Sequence, residues 1–250
     1  MKVAYHERYC EVYASDPAAQ LGRIESIHNE LQNHFDFVSP EPASEEDVLL
    51  VHGQNHIENV KTHPLTCEIA LLAVGGAIRA SEIAMEGEPA FGLIRPPGHH
   101  ASRDSSWGFC YFNNLAISIE KLGQSGKVRK ALVVDFDLHF GDGTANIFAG
   151  NSDIAYFHVD GMNRRNYLDN LSEFLERQRG YDILAVSAGF DRHQQDWGGL
   201  LTTSDYFTIG KMIRESALKE CVGRRYAVLE GGYNHAVLGK NVRAFLQGME

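Results

Sequence analysis

The chain has 250 residues, with 23 Lys and Arg against 33 Asp and Glu for a formal charge of −10, and 44% of it is hydrophobic. That composition suits a soluble globular protein with a sizeable core and excludes a disordered or fibrous chain. The acid excess argues against nucleic acid as the main partner, because phosphate binding calls for clustered Lys and Arg, and it suits a cationic substrate. The one basic cluster, Lys127-Val-Arg-Lys130, reads as a solvated turn. The apolar stretch Ile69–Ile78 is far shorter than the ~20 residues of a membrane span, and Met1–Arg8 lacks the apolar core of a secretory signal. The 4 cysteines (Cys10, Cys67, Cys110 and Cys221) are widely spaced with no Cys-x-x-Cys pair, against a disulfide framework or a thiolate zinc knot. A reducing, cytoplasmic location with no membrane association is expected.

The patterning alternates short β-branched runs with longer helical stretches. In chain order it predicts a strand over Val3–His6, a helix over Thr66–Met85, a strand over Ala90–Ile94 and a helix over Tyr111–Leu122. Strands follow over Ala131–Phe136 and Ile154–His158, then a helix over Asp169–Arg179 and a strand over Asp182–Ser187. A helix over Ser204–Lys219, a strand over Tyr226–Glu230 and a helix over roughly Ala236–Gly248 complete the pattern. The region before residue 65 is mixed. Several strands are apolar throughout, as in a parallel sheet covered on both faces. The expected fold is therefore α/β: a three-layer α/β/α sandwich with a central, mainly parallel sheet. No repeat or linker divides the chain, so residues 1–250 are read as a single domain.

Ligands of open parallel sheets bind beyond the carboxyl ends of the strands. The segments there are Arg95-Pro-Pro-Gly-His-His-Ala101, Asp135-Phe-Asp-Leu-His-Phe-Gly-Asp-Gly143, Ala188-Gly-Phe-Asp191 and Gly231-Gly-Tyr-Asn234. Asp137 and His139, two apart at a strand end, point to one side and suit a shared metal ion, with Asp191 as a third ligand. Such a set fits Zn²⁺ or Fe²⁺ with an open position for water; alone, Asp191 would more often be a turn or helix-cap carboxylate. His99 and His100, with the spare carboxylates Asp135 and Asp142 flanking the candidate metal ligands, suggest two His–Asp pairs for acid–base work, against the plainer reading of loop histidines bonded to backbone. Tyr233 after two glycines is either an oxyanion donor or a packed turn residue. In Trp107–Asn114 most residues read as core, with Asn113 or Asn114 as a cap and Phe109 as a channel wall. No Gly-x-Gly-x-x-Gly, Gly-x-Ser-x-Gly or His-Glu-x-x-His occurs, so dinucleotide, serine-hydrolase and zincin chemistry lack their usual signatures.

Those four segments and Gly108-Phe-Cys-Tyr-Phe-Asn-Asn114, in this order, resemble the histone deacetylase / acetylpolyamine amidohydrolase family, in particular its class II-like and prokaryotic members. The resemblance covers essentially the whole chain and implies the arginase/deacetylase fold. It implies Asp137, His139 and Asp191 as ligands of Zn²⁺ (or Fe²⁺), and His99 and His100 as catalytic histidines paired with Asp135 and Asp142. It further implies Tyr233 as the transition-state tyrosine, Phe109 as a tunnel wall, and Gly108 offering its carbonyl near the scissile amide. There are departures. Phe140 stands where a histidine is common. Tyr156 stands where the family's structural K⁺ site has a side-chain ligand, although backbone carbonyls around Asp135, Asp137 and His139 remain. Thr62 replaces a substrate-gripping aspartate. The Ser15–Arg23 loop keeps only Pro17 and Arg23 of its pattern. The short stretch between His158 and Asp182 removes the loop that carries the second tunnel wall, and Gln195-Asp-Trp-Gly-Gly-Leu200 omits a Pro, putting Trp197 at the rim.

The expected activity is metal-dependent removal of an acetyl or other acyl group from an amine such as acetyl-lysine, an acetylpolyamine or a small metabolite. The rivals are a non-catalytic acyl-ligand binding module and an amidohydrolase for a non-acetyl small-molecule amide.

Overall fold

A computed structural model describes residues 1–250. Seven strands, β1 (Lys2–Ala4), β2 (Asp36–Val38), β3 (Ala90–Gly92), β4 (Ala131–Asp135), β5 (Ile154–His158), β6 (Ile183–Ala188) and β7 (Arg225–Leu229), form one sheet in the order β2-β1-β3-β7-β6-β4-β5. Every pairing is parallel. All residues of β4, β6 and β7 are buried, the result their unbroken apolar runs predict. No helix is long and apolar enough to cross a membrane.

The helices are α1 (Arg23–Leu31), α2 (Glu45–Leu49), α3 (Gln54–Lys61), α4 (Pro64–Met85), α5 (Asn114–Gln124), α6 (Asp142–Ile147), α7 (Arg164–Arg177), α8 (Thr203–Glu220) and α9 (His235–Met249). Helices α1, α7, α8 and α9 pack on one another in one layer, and α2 to α5 in the other. The three-layer α/β/α expectation holds.

Differences from the sequence pattern have local causes. Helix α5 starts at Asn114 rather than Tyr111 because Asn113 caps it, its side-chain oxygen accepting from the Ala116 amide at 3.0 Å. Helix α7 starts at Arg164, five residues before the predicted Asp169, behind an Asn163 cap. Strand β2 and helices α1 to α3 occupy the stretch that read as mixed, and α6 follows β4 directly.

Strands β3, β7, β6 and β4 are neighbours, so the loops leaving their carboxyl ends share one edge. Register aligns Asp135 of β4 with Ser187 of β6 and His158 of β5, and Ser187 with Val228 of β7, which sets the chemistry-bearing loops side by side.

Candidate active site

Asp137, His139 and Asp191 offer ligand atoms that all lie within 4.8 Å of one another. Strand β4 ends at Asp135, so Asp137 and His139 lie beyond the pleat. A turn brings them together instead, the His139 amide donating to Asp137 Oδ1 at 2.9 Å. The Gly231 amide donates to Asp137 Oδ2 at 2.7 Å and the Leu138 amide to Asp191 Oδ1 at 3.0 Å. A Cβ at Gly231 would meet carboxylate oxygens of both Asp137 and Asp191 at 2.5 Å, so only glycine allows this approach.

The remaining oxygen, Asp191 Oδ2, is buried with no hydrogen-bond partner and lies 3.4 Å from His139 Nδ1. Burial, with the Asp137 charge behind it, pushes the Asp191 carboxyl up. For Asp137 burial is outweighed by His99 and His139, and its carboxyl is held far down. Bonding to Asp137 and Asp191 pushes His139 up to about 9. Two buried carboxylates that draw a proton onto the imidazole between them, with one oxygen orphaned, form a donor set that fits a divalent cation; a bound ion would take that proton's place.

Both His–Asp pairs form. His99 Nδ1 lies 3.0 Å from Asp135 Oδ2, and His100 Nδ1 lies 2.7 Å from Asp142 Oδ1, with ring centroids 4.1 Å apart. The carboxylates place the ring protons on Nδ1 and leave the Nε2 atoms as the free nitrogens. The two histidines are tuned apart. Burial pulls His99 down, but Asp137 and Asp135 outweigh it and hold its pKa well above the ordinary imidazole range. Burial and the neighbouring His99 charge lower that of His100, against the pull of Asp142.

A cavity of about 110 Å³ is lined by His99, His100, His139 and Tyr233, with Pro97, Trp107, Gly108, Phe109, Trp197 and Gly231. Gly108 has φ +58°, and a Cβ there would meet His100 Cδ2 at 2.5 Å, so the glycine lets the loop lie on the imidazole. Its carbonyl accepts from the Cys110 thiol at 3.6 Å. The Phe109 ring stands edge-on to Tyr233 with centroids 6.1 Å apart. Burial, reinforced by Asp137, pushes the Tyr233 phenol far above its usual range, so it remains a proton donor. Thr62 instead ends α3, its hydroxyl donating to the Asn59 carbonyl at 2.6 Å.

Around the site, some residues were not legible in the sequence and others take up roles beyond those expected. Trp107, read as core, is 55% exposed; its indole lies over His100 at 3.9 Å and its Nε1–H donates to Asp142 Oδ2 at 2.9 Å. Trp197, expected at the rim, lines the cavity and stacks on Tyr233 at 4.1 Å. Asp196 Oδ2 accepts the amides of Tyr233 and Asn234, each at 2.8 Å, and so fixes the tyrosine loop. Glu230, fully buried, accepts the amides of Gly98 at 2.7 Å and His99 at 3.2 Å; burial pushes it up to about 7. Its sequence signal is a carboxylate closing an apolar strand. Tyr156 donates to Asp135 Oδ2 at 2.9 Å and accepts from the Gly141 amide at 3.1 Å. Phe140 stands edge-on to Tyr156 and His158, with centroids at 5.9 and 5.5 Å.

A parallel three-layer fold with its functional groups at one carboxyl edge is the architecture of the arginase/deacetylase class of α/β proteins. The HDA15 HD domain, known from a crystal structure, shares this fold with a TM-score of 0.84 and 23% identity, over 99% of this chain and 88% of that one. The chain belongs to the histone deacetylase family: residues 18–167 and 158–249 match the Histone deacetylase domain. A probable deacetylase of Methanothermobacter thermautotrophicus is 34% identical over 86% of this chain and 79% of its own. An acetylpolyamine amidohydrolase of Mycoplana ramosa is 30% identical over 74% of this chain and 64% of its own. A histone deacetylase-like amidohydrolase of Pseudomonas aeruginosa is 30% identical over 79% and 66%.

Proposed function

We propose that residues 1–250 form one catalytic domain that hydrolyses an acylated amine, acetyl being the favoured acyl group, with a zinc or ferrous ion held by Asp137, His139 and Asp191. The observation that carries the reading is the convergence on one small cavity of His139, both Asp-paired histidines and Tyr233. The substrate class is an acetyl-lysine peptide, an acetylpolyamine or a small acylated metabolite, and the chain's net charge of −10 favours a cationic amine product. Its free cysteines support a reducing compartment, the cytoplasm.

The bound ion would supply Lewis-acid polarisation of the amide carbonyl and of water. His100, the histidine whose pKa is lowered, accepts the water proton at Nε2 and returns it to the leaving nitrogen. His99, held by Asp135 with its ring 4.1 Å from that of His100, lines the same cavity and tunes the charge around His100. Asp135 and Asp142 hold the two rings by their Nδ1 atoms. Tyr233 donates its phenol proton in a hydrogen bond to the carbonyl oxygen as that oxygen becomes anionic. Phe109 and the Gly108 carbonyl flank the acyl-bearing arm.

The test is turnover of an acetyl-lysine peptide, an acetylpolyamine and a longer-chain acylated amine by zinc-loaded and chelated protein. Hydrolysis that chelation abolishes and zinc or ferrous ion restores supports the reading. Binding without turnover of any substrate overturns it for a non-catalytic module, and turnover of the non-acetyl substrate alone moves the activity to another acyl class.

A further inference from the structure

The family resemblance implies a structural potassium ion held by carbonyls around Asp135, Asp137 and His139 and by a side chain at position 156. The groups present do not fit one. The side chain at 156 is a phenol whose oxygen already donates to Asp135 Oδ2 and accepts from the Gly141 amide, at 2.9 and 3.1 Å. Of the three carbonyls, those of Asp135 and Asp137 already accept from protein donors, as do those of Phe136 and Leu138 beside them, which leaves His139 O alone without one. The Val159 amide donates to Asp135 O at 2.8 Å and the Tyr167 hydroxyl to Phe136 O at 3.1 Å. Arg192 takes the next two, Nε donating to Asp137 O at 3.3 Å and Nη2 to Leu138 O at 3.2 Å.

Arg192 is itself buried, only 8% exposed, with its guanidinium over the Tyr167 ring at 5.1 Å. Nη2 also reaches Val159 O at 3.4 Å, His158 Nε2 at 3.3 Å and, at 3.7 Å, the Asp160 carboxylate. A monocation ringed by backbone carbonyls and backed by an aromatic face is the environment a weakly hydrated metal monocation would also need. A second cation there would have to share the Asp135 and Asp137 carbonyls with their donors and sit against the positive charge of Arg192, which already holds Asp137 O.

We infer that this protein carries its own monocation: the Arg192 guanidinium, with the Tyr156 hydroxyl completing the bonding of Asp135, takes the place of the structural potassium ion and makes the fold indifferent to K⁺. The inference rests on the deacetylase reading only for the expectation that a cation belongs at this place. Arg192 is a positioning residue, holding the turn that carries Asp137 and His139, and its neighbour in the chain is Asp191.

The test is thermal unfolding of the zinc-loaded protein in KCl and in tetramethylammonium chloride at matched ionic strength, with metal content measured in parallel. The wild type should show one Tm in both salts. A wild-type Tm that rises saturably with K⁺ alone would overturn the inference. Arg192→Ala should lose several degrees in tetramethylammonium and regain part of them on adding K⁺, which has room once the guanidinium is gone. A folded Arg192→Ala protein with no K⁺-specific gain also overturns it. Should that variant fail to fold, Arg192→Lys decides: it keeps the charge and should stay indifferent to K⁺, and a K⁺-dependent Tm refutes the idea. Tm does not depend on turnover, so a wild type that hydrolyses no acylated amine would sink the functional reading and leave this result standing.

Discussion

The hydrogen bonds around His100 make a prediction that depends on which way an amide points. Asp142 Oδ1 faces His100 Nδ1 at 2.7 Å, while Trp107 Nε1–H is shared between the two oxygens, nearer Oδ2 at 2.9 Å than Oδ1 at 3.2 Å. In Asp142→Asn an NH₂ group at the Oδ2 place would face the indole N–H at its shorter contact, donor against donor, so the amide oxygen turns to Trp107 and the NH₂ group turns to the imidazole. Nδ1 must then accept, the ring proton moves to Nε2, and His100 loses its basic nitrogen. The loss combines one charge-assisted hydrogen bond, about 1.5–3 kcal/mol, with a neutral bond of about 1 kcal/mol that now favours the wrong tautomer. The Asp142 side chain is 37% exposed, so solvent screening trims the sum to about 2–4 kcal/mol. That corresponds to a fall in kcat of ~30- to 10³-fold.

Trp107→Phe keeps a ring over His100 but removes the donor, and alone it should cost only a few-fold. In the double variant the amide is free to flip and offer its oxygen to Nδ1–H, so Asp142→Asn/Trp107→Phe should be faster than Asp142→Asn, by up to about tenfold for one hydrogen bond. The assay is steady-state deacylation by zinc-loaded proteins of equal metal content. A double variant slower than Asp142→Asn, or an Asp142→Asn enzyme within a few-fold of wild type, would show that the tautomer argument fails.

Three further outcomes are expected. Chelation should lower Tm as well as abolish hydrolysis, since ligand at a thousand times its Kd stabilises by about 4 kcal/mol; Asp191→Ala should bind less metal, and full activity in metal-free protein would refute the assignment. Tyr233→Phe keeps the ring that stacks on Trp197, so Tm should hold while kcat falls ~10²–10³-fold with KM little changed; a change confined to KM would place the phenol on the rim. His52 is fully buried, accepts from the Asn113 amide at 2.9 Å, and is pulled down by burial to about 4 from 6.5, so the unfolded chain binds its proton first. Its contribution, about 3 kcal/mol, is present above pH 6.5 and lost as pH falls toward 4; in denaturant titrations across that window His52→Gln should flatten the acid limb, and an unchanged slope would count against it.

The sheet was legible where physics writes it twice. Strands β4, β6 and β7 are buried on both faces, so their apolar runs need no partner to be seen. The shorter elements depend on tertiary partners or on a single cap. Helix α2 has five residues and is set by the reciprocal Ser44–Asp47 capping box, while α1 follows Gly22 with no side-chain cap at all. Helix α6 contains Gly143, which shows no helical preference; it is there because a Cβ would meet the Ala101 backbone at 2.6 Å. Edge strand β2, Asp36-Phe-Val38, is too short and too polar at its start to announce itself.

At the site, residues next to strand ends were legible because topology alone gathers them, whereas Trp107, Asp196, Glu230 and Arg192 act through partners far away in sequence. One rule relates the two groups. Three of the four loops at the carboxyl edge, those after β3, β4 and β7, lend backbone amides to a carboxylate of another loop. Gly98 and His99, after β3, donate to Glu230 after β7. Gly231, after β7, donates to Asp137 after β4. Leu138, after β4, donates to Asp191 after β6. Tyr233 and Asn234, after β7, donate to Asp196 after β6. Amides that no strand or helix would satisfy thereby find partners, and the carboxylates gain donors that offset part of the cost of burying them. Part of the acid excess at this edge is therefore structural, and it meets the chemistry at Asp191, whose second oxygen has no hydrogen-bond partner and faces His139. Replacing any one of them should loosen a second loop as well as its own, so an isosteric amide, which keeps an acceptor oxygen, is the variant that separates lost charge from lost anchoring.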